Sequence, residues 1–61
     1  MVAHLLDVGE GVLHVNIAKS IVLDDAGRSA DRAEAAWDAA GLPEQGTVTV
    51  EELDRARATL R

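Results

Sequence analysis

The residues able to move a proton or hold a metal near neutral pH are few in this chain. There are two histidines, His4 and His14, no cysteine, and eleven acids spread along the length. A metal or acid–base site needs several such groups converging on one point. In the hairpin register favoured below, His4 and His14 point to opposite faces, so one ion cannot take both. His14 then faces Asp7 as a surface pair, and His4 sits at an apolar rim. The hydroxyls are Ser20, Ser29, Thr47, Thr49 and Thr59, none next to a candidate base in sequence. Gly9-Glu10-Gly11 lacks the following helix and lysine of a phosphate cradle. We therefore expect no catalytic residue, no cofactor and no metal, and do not expect an enzyme.

The elements that position these residues are written most clearly around Trp37–Leu53. Gly41 supplies the left-handed backbone that ends a helix, Leu42 can fold back onto Trp37, and Pro43 forbids continuation. Thr49 and Glu52 form a capping box for the next helix, with Val48 and Leu53 as a hydrophobic staple. The first helix is expected from about Ser29 or Asp31 to Ala40, buried through Ala30, Ala33, Ala36, Trp37 and Ala40. The second runs from Val50 to near Leu60, with Val50, Leu53, Ala56 and Leu60 on one face and Glu51–Arg55 paired on the other.

Upstream, Val2–Val8 and Val12–Leu23 are rich in Val, Leu and Ile and flank Gly9-Glu10-Gly11, which reads as a β-hairpin. A two-residue loop at Glu10-Gly11 pairs Val8 with Leu13, Leu6 with Val15 and His4 with Ile17, gathering the large apolar residues on one side. The second strand continues through Ile21 and Leu23 if a bulge lies near Lys19-Ser20. Asp24–Arg28 is a turn, and Thr47-Val48 could add a short third strand. The expected fold is α+β: an N-terminal hairpin packed by two short helices, β-β-α-α, in one domain over residues 1–61.

A chain of 61 residues buries only about 60% of its unfolded surface. Ordering it costs roughly 1.5 kcal/mol per residue. Trp37 is the only aromatic residue, the second half is rich in alanine, and no disulfide can form. Such a composition calls for oligomerisation or a protein partner. The net charge of −5 disfavours a broad nucleic-acid face, since phosphate contacts need clustered Lys and Arg. Asp7, Glu10, Lys19 and Asp24 interrupt the apolar N-terminal region, so no membrane span is expected, and a basic signal-peptide start is lacking. A cytoplasmic protein is the default expectation.

Gly41–Glu52 has the length of a calcium-binding loop, with Gly46 sixth, Val48 eighth and Glu52 twelfth, between two helices. It resembles a degenerate EF-hand over that loop alone. Its first, third and fifth places are Gly41, Pro43 and Gln45, two of them without a side-chain oxygen, so the likeness does not extend to calcium binding. The order strand–helix–helix is similar to that of ribbon-helix-helix repressors and antitoxins, in which two chains pair strands and interlock helices. That resemblance implies a strand at Val12–Ile17 presenting His14, Asn16 and Lys19 to a DNA groove.

The sequence thus points to a small acidic protein-binding module, antitoxin-like or an adaptor subunit. The alternative is a dimeric ribbon-helix-helix-like repressor. His14, Asn16 and Lys19 are the candidate partner- or DNA-facing residues, and Trp37, Leu53 and Leu60 the candidate apolar contacts.

Overall fold

Val15, Ala18, Val22 and Ala26 recur at three- and four-residue steps, the spacing that lines one face of a helix. The computed structural model describes residues 7–9 and 11–61, with side chains from Gly11 onward. In it these four residues are buried, and Val15–Asp25 is a helix, α1, capped at its C-terminus by Ala26. The fold is α+β, as expected, with β1 (Asp7–Gly9), β2 (Val12–His14), α1, α2 (Ala30–Ala39), β3 (Thr47–Thr49) and α3 (Val50–Ala58).

Helix α1 replaces most of the expected second strand. The β-branched residues between Val12 and Leu23 favour a strand locally, but such preferences yield to a face that can be buried. A helix puts Val15, Ala18 and Val22 together in the core, leaving Ile17 and Ile21 half-buried at its flank. No bulge at Lys19-Ser20 is needed, because the interruption there is the polar side of a helix.

The hairpin exists in a different register. Asp7 pairs with Leu13 and Gly9 with Val12, antiparallel and with an irregularity between Asp7 and Gly9. The expected Val8–Leu13 pairing is therefore corrected by one residue. The pairings Leu6–Val15 and His4–Ile17 are also corrected, since Val15 and Ile17 belong to α1. His4 and Leu6 themselves lie outside the described residues, as does the Asp7 side chain expected beside His14.

The third strand forms over Thr47–Thr49 and pairs with β2, giving the sheet order β1-β2-β3. Here Val12 pairs with Thr49, Leu13 with Val48 and His14 with Thr47. The main chain closes this ladder reciprocally: Val15 N–H donates to Gly46 O at 3.0 Å, and Val50 N–H to Gly11 O at 2.9 Å. A local two-fold axis through Leu13 and Val48 thus relates β2–α1 to β3–α3. Gly11 and Gly46 both have positive φ, 74° and 94°, at matching places ahead of their strands.

The expected helix ends are present. Ser29 caps α2, accepting from Arg32 N–H, and Thr49 and Glu52 form the capping box of α3. After α2, Gly41 takes φ 70°, and Leu42 N–H donates to Trp37 O at 3.3 Å. This return buries Leu42 in one cluster with Trp37, Val48 and Leu53. Arg55 does not pair with Glu51 as expected. Its guanidinium donates to Ala40 O at 3.0 Å, satisfying a carbonyl at the end of α2.

Candidate functional site

Where α1 and α2 pack, small residues on one helix leave space beside a large one. The gap is a groove of about 230 Å³ lined by Lys19, Val22, Leu23, Ala30, Ala33, Glu34 and Trp37. Trp37 forms its floor. It is only 1% exposed, its indole Nε1–H donates to Pro43 O at 2.8 Å, and Lys19 Nζ lies 5.5 Å above its ring. That separation is within reach of a cation–π attraction. Lys19 also pairs with Glu44, an exposed contact worth little by itself.

The three expected partner- or DNA-facing residues do lie near one another. His14, Asn16 and Lys19 line a shallow depression with Val15, Glu44, Gln45 and Gly46. They do not share a strand: β2 ends at His14, and Asn16 and Lys19 are in α1. The ribbon expected at Val12–Ile17 is corrected accordingly. β2 is also the central strand, paired on both sides, so neither edge is free for a second chain.

The three expected apolar contacts divide. Trp37 and Leu53 are core residues, 1% and 4% exposed, because they fill the space where α1, α2 and α3 meet. Their burial matches the helix stripe and the staple expected of them and leaves little of either for a partner to touch, although the groove opens above Trp37. Leu60 is half-buried and lines a second shallow depression with Ala35, Ala36 and Ala39. Sequence reasoning missed Leu23, Ala30, Ala33 and Glu34 as a surface. Once Val15–Asp25 is recognised as a helix, Lys19, Val22 and Leu23 fall together on its wheel and the groove can be anticipated.

The EF-hand-like loop lies between α2 and α3 with Gly46 in the left-handed region. Glu52, at its twelfth place, is committed elsewhere: Oε1 accepts from Thr49 N–H at 2.8 Å. Among the described residues no group of three or more His, Cys, Asp or Glu is placed to hold a metal ion. No helix among them is long and apolar enough to cross a membrane. Arg57 pairs with Asp25, and the hydrogen bond and charge of that carboxylate hold its guanidinium pKa above the usual value. This stabilises a charge already permanent near neutral pH, so it offers no pH switch and no acid–base chemistry. No protein-family model, curated protein or solved structure matches the chain.

Proposed function

We propose that the chain is a small acidic protein-binding module, of the adaptor-subunit or antitoxin kind, acting through a protein partner or through oligomerisation. The observation that supports it is the thinness of the core. Among the described residues ten hydrophobic residues are buried, four of them alanine, and only Trp37, Val22 and Val48 are both large and fully enclosed. For a domain of this size without cysteine, association is one of the few remaining sources of added stability. No catalytic role belongs to this reading.

The test is native mass by light scattering, together with melting followed at several chain concentrations. The reading expects a folded state that strengthens with association, so the midpoint rises with chain or partner concentration. A monomer that unfolds cooperatively at one temperature throughout, with no complex in its native extract, would remove it. The repressor alternative requires salt-sensitive duplex binding lost on changing His14, Asn16 or Lys19. With β2 paired on both edges and Lys19 engaged by Glu44, the geometry gives that alternative no support.

A further inference from the structure

We infer that the groove between α1 and α2 docks a basic amphipathic segment of another protein. This deepens the protein-binding reading and rests on it. Two independent features meet at the groove. The first is apolar space: Val22, Leu23, Ala30 and Ala33 wall a volume of about 230 Å³ above Trp37. That is smaller than the ~300–1,000 Å³ of pockets for small-molecule ligands, and suits inserted side chains better than a free ligand.

The second feature is unpaired acidic charge on the α2 bank. Asp31, Glu34 and Asp38 stand at i, i+3 and i+7 on α2, which aligns them along the groove's outer edge. All three are exposed, and none joins an ion pair among the described residues. On the opposite bank the charge lining the groove is Lys19, already paired. Lys19 is held by Glu44 and the Trp37 ring, and Asn16 and Ser20 beyond it are uncharged. The matching occupant places apolar side chains between the helices and Lys or Arg along the α2 edge. An acidic segment is repelled by the same three carboxylates.

The test titrates the full 61-residue chain, labelled with nitrogen-15, with a helical peptide of Leu and Lys whose leucines fall on one face. A second peptide carries Glu in place of every Lys. The Leu/Lys peptide should shift Leu23, Ala30, Ala33 and the Trp37 indole saturably, and the Leu/Glu peptide should not. The triple variant Asp31→Asn, Glu34→Gln, Asp38→Asn should weaken binding by about tenfold or more, as should filling the groove with Ala33→Leu. Ala30→Leu, at an exposed position, serves the same purpose should Ala33→Leu fail to fold. Shifts centred elsewhere, equal binding of the Leu/Glu peptide, or full affinity in a folded groove-filled variant would overturn the assignment. So would groove shifts produced only by raising the chain's own concentration, since the occupant is then a second copy. If the groove stays silent while light scattering still finds a stable complex, the assignment falls and the broader reading stands.

Discussion

The two halves related by the local axis, β2–α1 and β3–α3, share a backbone frame and use it differently. Each has a glycine of positive φ, a three-residue strand and a helix beginning directly after it. In the first half Val15 and Val22 are buried in the core. Their counterparts in the second half are Val50, 43% exposed, and Arg57, half-exposed and paired with Asp25. The helix starts differ as well: Thr49 caps α3 with its side chain, whereas His14 makes no side-chain cap for α1. Both halves bury residues, Ala18 in the first and Val48, Leu53 and Ala56 in the second, but only the first buries the positions of Val15 and Val22, and only the second has a side-chain cap. A common frame therefore tolerates different chemistry at matching positions, and one core cluster draws on α1, α2, β3 and α3 together.

The strongest way to break this contrast is to remove what α2 brings to the first half. Trp37→Ala should cost roughly 3–5 kcal/mol, enough to leave a small domain largely unfolded in circular dichroism. At the axis itself, Val48→Ala should cost about 2 kcal/mol and Leu13→Ala less, because Val48 is 1% exposed and Leu13 only half-buried. Denaturant titration of the pair measures that asymmetry directly.

Caps come next. Thr49→Ala should cost about 1 kcal/mol. His14 already has extended backbone, φ −65° and ψ 147°, close to that of Thr49. His14→Thr should therefore gain a few tenths to about 1 kcal/mol, making the halves more alike. If it destabilises the chain, the missing cap is not what separates them. After α1, Gly27 takes the left-handed place that Gly41 takes after α2, φ 69° and 70°, and Arg28 follows with φ 66°, the only positive φ at a non-glycine among the described residues. Arg28→Gly should raise stability by roughly 0.5–1 kcal/mol, since the ion pair it removes, with Asp24, is highly exposed. The smallest effect belongs to Arg57→Met, which should lower the melting midpoint less than Thr49→Ala and by an amount that vanishes at high salt.

Signals confined to a few neighbouring residues were legible. Ser29, Gly41 and the Thr49–Glu52 box mark helix ends where the structure has them, because a cap needs specific atoms within one turn. The third strand was legible for the same reason, lying between Gly46 and the Thr49 cap. Helix α1 was not, because Val12–Leu23 fits an alternating strand almost as well as a helix. Only the long-range choice to bury Val15, Ala18 and Val22 against α2 and α3 decides between them. The local axis was hidden too, since Val22 and Arg57 occupy matching backbone positions with opposite chemistry. Of the site, the proximity of His14, Asn16 and Lys19 carried over, but the groove did not, because it exists only once α1 is a helix.

The proposed function depends on association completing the core. Melting of the isolated chain in dilute solution, repeated over a roughly hundredfold range of its own concentration and with the Leu/Lys peptide added, tests that most directly. A low midpoint that rises with added chain or peptide is the predicted result. A monomer resistant to heat, with a midpoint indifferent to both, would contradict it.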